Sequence, residues 1–593
     1  MFSIRFVWEK LKGRCWMMIC GLIVSVIYSA MVIINPYLSK ILVDDAIKGS
    51  IEATGSPNTQ QLIDLIVIMT VVVFVRTVFL FIRKVLFELS SQKMVSNIRL
   101  AIFNNIQHQE LGFFDKIRAG DLITRSTSDV NYARHFVAYV LFTIVDTVVL
   151  FIASVSILLF ISPELTLALL AVVPVLGITS YLYSKKVAPI YKSIRNCFAQ
   201  LNISAQENIA GNRVVKAFAR EEYEIEKFKQ ASIEYKEENL KAAYAWQKIV
   251  PIIEFLAQVL SFITLLVGGL LVIADKITIG DLSMFTALTW ALALPMKNVS
   301  NILNSYQQFI TGTVKIIELC EASPLIASRH DAVVSDERLK GKLEFQNVSF
   351  KYSRNGEKIL DNISFVVNPG ETVAIMGATG SGKTTLINLM SRFYDVTEGK
   401  ILLDDVDLRM RRLEDIRSSI AIATQDVFLF SDSVENNIAY SDPNMEEDKI
   451  HEYAKLAAAD EFIQKMESAY DTIIGERGVG ISGGQKQRLA LARAMAAEAP
   501  ILVLDDTTSA VDMETEKFIQ HSLATMPLKT TKIIIAQRIS SVRHADKIMI
   551  LQDGKLDIGT HESLATTNSY YRGICELQDV ADLPAFIGGD NNG

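Results

Sequence analysis

The sequence predicts a membrane α-helical part, six transmembrane helices with long cytoplasmic extensions, fused to an α/β domain of the phosphate-loop type. Three observations carry this. Apolar residues gather before about Tyr306 in runs long enough to cross a hydrocarbon core, which takes about 20 residues of helix. Past a mixed polar stretch at 323–341 the pattern turns to short β runs alternating with helical stretches, as in an α/β sheet. A glycine-rich loop, GATGSGKT at 377–384, stands between one of those β runs and the helix after it.

The membrane part follows from length and composition. With 593 residues, half of them hydrophobic, the chain is too long and too apolar for one soluble domain. Six spans are read at 15–43, 62–87, 135–160, 165–183, 249–273 and 282–301. The first run is longer than a signal-peptide core and lacks a small-residue cleavage site, so it is expected to remain as an anchor. The connections after spans two and four hold Lys93, Arg99, Lys116, Arg118 and Arg125, and Lys185, Lys186, Lys192, Arg213, Lys216 and Arg220. The loops after spans one, three and five offer little beyond Lys48 and Lys276. Basic residues stay inside, so both termini and the C-terminal domain are expected on the cytoplasmic side of a cell (inner or plasma) membrane. The two long connections read as amphipathic helices continuing the spans.

A net charge of −7 gives no sign of nucleic-acid binding. The five cysteines (Cys15, Cys20, Cys197, Cys320, Cys575) have neither metal nor disulfide spacing and are expected to be reduced and structural. The domain boundaries are placed at 1–322 for the membrane part, 323–341 for a linker and 342–579 for the α/β domain. An acidic, Gly- and Asn-rich tail is expected at 580–593.

The phosphate loop fits G-x-x-x-x-G-K-[ST]. Gly377, Ala378, Thr379, Gly380, Ser381 and Gly382 allow backbone amides to approach phosphates, and Lys383 reaches the outer ones. The Thr384 hydroxyl suits Mg²⁺, and Thr385 continues the helix start. ILVLDD (501–506) reads as a buried strand ending in carboxylates, with Asp505 placed to hold Mg²⁺ through water. In ISGGQKQR (481–488), Ser482, Gly483, Gly484 and Gln485 open a basic helix suited to a second phosphate contact.

Together these three motifs resemble those of ATP-binding-cassette (ABC) transporters, whose signature is usually LSGGQ. In that family the signature faces ATP held by the other half, so the resemblance implies a composite site across a dimer. It also implies an ATP-hydrolysing transporter with ATP and Mg²⁺ as cofactors. Tyr352 matches the residue that stacks on adenine, and Gln425 in ATQDVFLF matches the glutamine that senses Mg²⁺. GERG (475–478) resembles an exporter-specific loop, and SAVD (509–512) the loop that crosses to the opposite site. FFDKIRAGDLITRSTSDV (113–130) and GNRVVKAFARE (211–221) resemble the two coupling segments of exporters. Fusion of membrane and ATP-binding parts in one chain favours export over import.

Two positions depart from the family pattern. Asp506 stands where most members have Glu, and Gln537 in IIIAQR where they have His. Misplacing a catalytic group by about 1 Å costs on the order of 10²-fold. Glutamine can hydrogen-bond a γ-phosphate but carries no exchangeable charge. Either change alone is compatible with drift. The pair resembles the degenerate-site subunit of heterodimeric bacterial multidrug exporters, implying a different half-exporter as partner and hydrolysis mainly on the partner's Walker motifs.

Within the spans, Arg76, Asp146 and Glu254 are costly in lipid and so are expected to face a cavity or partner. Arg76 and Asp146, each roughly 21 Å below the outer end of its span, stand where they could pair at one depth, either as a structural ion pair or as part of the substrate pathway. Glu254 is either a contact for cationic substrate or a lining of water. The expected cargo is an amphipathic small molecule. The alternatives are a homodimeric lipid or peptide exporter with slow hydrolysis, and a non-hydrolysing ATP-gated regulatory or channel subunit.

Overall fold

The computed structural model describes residues 2–49, 51, 58–335, 337–353, 356–475, 478, 480–509, 511–526 and 529–578. The expected tail at 580–593 lies outside the described residues, as do Glu476 and Arg477 of GERG and Ala510 of SAVD. The described residues form two compact units. One runs to Gln107 and resumes over Arg118–Ala322; the other takes His108–Ile117 and the chain from Ser323 onward.

The first unit is wholly helical. A short α1 (Phe2–Lys10), which the sequence reading did not separate, precedes α2 (Cys15–Ile41). Gly13, at φ +90°, provides the break between them. Then come α3 (Thr59–His108), α5 (Leu141–Ile161), α6 (Val172–Ala210), α7 (Glu221–Ile273) and α8 (Ile279–Glu321); α4 (Leu111–Lys116) belongs to the other unit. Among the described residues six helical runs are long and apolar enough to cross a membrane, the expected number. Glu221–Ile273 is 53 residues long, so the spans do continue well past a bilayer's thickness.

Beside an apolar core that includes Leu158, Leu165 and Phe285, the outer face carries large apolar side chains as lipid allows while small polar ones lie inside. Phe74, Phe81, Phe160, Phe255 and Phe262 are exposed, whereas Ser25, Ser29, Ser154 and Thr264 are buried. Helices in lipid gain little by hiding large apolar side chains and associate through small and weakly polar ones. Gly21 illustrates this: a Cβ there would stand 3.0 Å from the Phe87 ring, so a side chain at this position would require the ring to shift.

The expected pairing of Arg76 with Asp146 is corrected by the structure, which pairs Asp146 with Arg83 instead. Arg83, two turns further along α3, is 3% exposed, donates to Asp146 and lies over the rings of Tyr28 and Phe142 at 4.4 and 4.5 Å. Ser29 donates to the other carboxylate oxygen at 3.1 Å. The reason is the length of α3. At about 1.5 Å per residue, Arg83 is roughly 36 Å from Thr59 whereas Asp146 is roughly 22 Å from Ile161, so the outer ends of α3 and α5 are not level.

The second unit holds two sheets. The four-stranded one has order β2-β1-β4-β5, from β1 (Leu343–Phe350), β2 (Leu360–Val367), β4 (Glu398–Leu403) and β5 (Val406–Asp407), all antiparallel. The six-stranded one has order β10-β9-β3-β8-β7-β6. Its strands are β3 (Thr372–Met376), β6 (Ile420–Ala423), β7 (Ile501–Asp505), β8 (Thr531–Ile535), β9 (Lys547–Gln552) and β10 (Lys555–Gly559). β6 to β9 and β3 run parallel; β10 is antiparallel at one edge. Parallel strands covered on both faces are apolar throughout, and every residue of ILVLD in β7 is buried. One core packs Phe345 and Phe365 face to face with β3 and β7; a second gathers alanines and leucines around the helix Gly483–Ala496.

Candidate nucleotide site

The C-terminal ends of parallel strands form a crevice where the chain turns to the following helices, the usual ligand position in such sheets. Here β3 leads into the glycine loop and then α9 (Lys383–Met390), β7 ends in Asp505, and β8 is followed by Gln537. β3, β8 and β7 are adjacent, so three segments far apart in sequence meet at one edge. The cleft there has a volume of about 310 Å³. Tyr352, Thr379, Gly380, Gly382, Lys383, Thr384, Thr385, Gln425, Asp505, Asp506 and Gln537 all line it, joined by Ile535 and Ala536 of IIIAQR and by Ile359, which no motif indicated.

The loop geometry depends on glycine at two points. Gly382 caps α9 at φ +105°, and Gly377 at φ +157° runs so close to β9 that a Cβ would fall 2.3 Å from the Leu551 carbonyl oxygen. The Lys383 ammonium donates to the carbonyls of Gly377 and Ala378 at 2.8 and 2.9 Å, lying across the loop it belongs to. Burial holds its pKa below the ordinary amine range, opposed by the charges of Asp505 and Asp506. Burial raises the Asp505 carboxyl, the neighbouring Asp506 charge adds to this, and Lys383 offsets part of it. The Ser381 hydroxyl is buried and makes no hydrogen bond among the described residues.

The chemistry of this cleft fits a magnesium nucleotide. An anion meets Lys383 and the amides of a helix start. Thr384, Gln425 and Asp505 offer the hard oxygen donors that Mg²⁺ takes. When bound, Mg²⁺ supplies charge neutralisation between phosphates.

Tyr352 lies just past β1 and is 51% exposed; its hydroxyl meets Thr385 Oγ1 at 3.1 Å. Its ring stands edge-on to that of Tyr394, centroids 5.1 Å apart. Tyr394 donates to Asp115 of α4 at 2.6 Å, and Gly112 of the same helix packs on its ring. Burial and Asp115 hold the Tyr394 phenol above its usual range, so it remains a donor. Tyr394 escaped the sequence reading because nothing near it in sequence signals a partner 279 residues away.

Asp506 adopts φ +49°, where Asp and Asn are several-fold enriched, and its amide donates to the Ile535 carbonyl at 2.9 Å. Gln487 and Ser509 donate to its carbonyl at 3.4 and 2.9 Å. Ser482 caps the helix α10 (Gly483–Ala496) in a reciprocal box: its hydroxyl accepts from the Gln485 amide, and Gln485 Oε1 accepts from the Ser482 amide at 2.9 Å. Ser482, Gly483, Gly484 and Gln485 do not line the cleft that holds Lys383.

Residues 18–296 match the family described as ABC transporter transmembrane region and residues 360–509 the family described as ABC transporter. The chain is 33% identical to the ABC transporter ATP-binding protein YknU of Bacillus subtilis (strain 168), over 97% of this chain and 96% of that one. It is 32% identical to an ATP-dependent lipid A-core flippase of Vibrio parahaemolyticus serotype O3:K6, over 96% of this chain and 98% of the other. Its fold matches the ATP-bound structure of a bacterial Atm1-family ABC exporter with a TM-score of 0.80, at 25% identity, covering 95% of this chain and 98% of that one. Six membrane-spanning helices, the phosphate loop and these relatives agree: the chain belongs to the ABC transporters, as an exporter half joining one transmembrane region to one ATP-binding domain.

Proposed function

We propose that this exporter half works as a heterodimer, holding ATP in a slow, degenerate site of its own and lending its signature to a faster site on a different half-exporter. The observation that carries it is the joint presence of Asp506 and Gln537 in one cleft, beside intact Lys383, Thr384 and Asp505. Retained phosphate and Mg²⁺ groups favour binding. A shortened carboxylate and an uncharged amide where a base and a proton carrier would act disfavour turnover. Ser482 to Gln485 stand outside that cleft, as expected of residues that serve ATP on another chain. Closure of two ATP-binding domains around nucleotide drives the membrane helices from inward-open to outward-open, and hydrolysis resets them. The ATP-binding domain and both termini are cytoplasmic, and the cargo is an amphipathic small molecule.

A homodimeric lipid exporter is the second reading; its lipid cargo is favoured by similarity over nearly the full length to a lipid A-core flippase. The full chain, purified alone and reconstituted in lipid, tests both through Mg-ATP turnover. Tight ATP retention with little phosphate release supports the heterodimer. Brisk release abolished by Asp506→Asn refutes it and supports the homodimer. Glu254, exposed on α7, is proposed to attract cationic groups; transport of cationic and neutral cargo left equally unchanged by Glu254→Gln refutes that role.

A further inference from the structure

Between the inner end of the third span and that of the sixth lies a second cleft, of about 330 Å³, wholly within the membrane unit. We infer that it binds the uncharged, hydroxyl-rich headgroup of an amphiphile such as an alkyl glycoside, an inference that rests on the exporter reading above.

Its walls are two helical faces. His135, Tyr139 and Thr143 recur every four residues on one side, and Asn298, Asn301 and Asn304 every three on α8, so each set lies along one face. Polar side chains in spans are costly and face cavities, and seven converging on one cleft, these six and Ser305, exceed what packing needs. None of the three asparagine side chains makes a hydrogen bond among the described residues, so their amide groups are available to a ligand. The backbone around them departs from regular helix as well. Phe136–Val140 is a π-helical turn, a feature concentrated at functional sites, and Pro295 removes one rung of the α8 ladder just before Asn298.

The chemistry selects the ligand class. Among the described residues no Asp, Glu, Lys or Arg lines the cleft, and the nearby Arg134 is paired with Glu88 at 3.0 Å. Lys297 adjoins Asn298 in sequence but is not among the lining residues. Without a carboxylate a cation finds no counter-charge, and without a guanidinium or ammonium a phosphate finds none either. Asparagine amides both donate and accept, as a run of hydroxyls requires. His135 and Tyr139 stack at 5.5 Å and 21°, with Tyr139 54% exposed, giving a flat aromatic surface for the apolar face of a ring. The cleft sits where the expected cytoplasmic boundary of the membrane falls, the level of an inner-leaflet headgroup.

The test uses the full chain in phosphatidylcholine nanodiscs with labelled octyl glucoside below its micellar concentration. Octyltrimethylammonium, octyl phosphate and octanoyl glycinamide, which share the alkyl chain, serve as competitors. The glucoside is expected to bind, each competitor to displace it at least about tenfold more weakly than unlabelled glucoside, and Asn301→Ala/Asn304→Ala to weaken it about tenfold. Asn301→Gln/Asn304→Gln is expected to retain most of the binding, and ATP affinity to stay unchanged in both, which reports an intact fold. Should the alanine pair misfold, Tyr139→Ala carries the same expectation. Equal displacement by charged analogues, stronger displacement by the amide, or unaltered glucoside binding in the folded variants overturns the assignment. ATP-driven uptake into vesicles, measured with a partner half present, separates the two readings. Headgroup selectivity without uptake refutes the exporter reading alone, and uptake without selectivity refutes this one.

Discussion

The nucleotide cleft and the buried ion pair of the membrane unit both place charge away from water, but they recruit it differently. Lys383 binds carbonyls five and six residues away on its own loop. Arg83 reaches Asp146 63 residues on, and Asp146 is held by Ser29, 117 residues back. A charge held by its own loop is specified by a short motif and survives wherever the loop folds. A charge held across three helices exists only once those helices have packed, so its loss is felt first in stability.

The largest expected effect tests the second half of that contrast. Arg83→Met strands the Asp146 carboxylate and should cost about 3 kcal/mol, seen as a marked fall in the unfolding temperature of the reconstituted chain. Arg76→Met should change it little. Equal effects of the two would break the distinction. Next, Lys383→Ala should weaken ATP binding about 100-fold by equilibrium titration while leaving the unfolding temperature of the nucleotide-free protein nearly unchanged, since its partners are carbonyls on the same loop. A large stability loss would show that the loop is not locally determined.

A smaller effect concerns chemistry. Asp506→Glu with Gln537→His should raise phosphate release by the full chain about tenfold or more, if reach and proton transfer limit turnover. The left-handed backbone at 506 tolerates Asp better than Glu, so some of the gain will be offset by strain. No gain at all would place the limit elsewhere. The smallest expected effect is at Tyr394. Removing its hydroxyl in Tyr394→Phe should cost about 1 kcal/mol, and a cycle with Asp115→Ala should show that most of this is their mutual bond. Independent effects of the two would mean that the hydrogen bond contributes little.

Much of the fold was legible because its signals are local. Apolar runs long enough to cross lipid gave six spans, and six helices long and apolar enough to cross a membrane are found among the described residues. Thr372–Met376 was read as a strand and is one, bounded by a turn and a glycine loop. The strand from Leu343 ends at Phe350, two residues short of the alternation, because Tyr352 leaves the ladder to join the cleft. The π-helical turns at Arg125–Asp129 and Phe136–Val140 had no sequence mark. Nor did the α1 break, which depends on the conformation adopted at Gly13.

By itself the sequence determined the phosphate loop, the carboxylates after β7 and the identity of the two departures, Asp506 and Gln537, because each is a chemical requirement met within a few contiguous residues. Only the tertiary structure decided that Arg83 rather than Arg76 answers Asp146, that Tyr394 links α4 to Tyr352, and that seven polar side chains of two distant segments share one cleft. Which partners meet across tens or hundreds of residues is set by helix length, tilt and strand order, and none of these is encoded at the residues that meet.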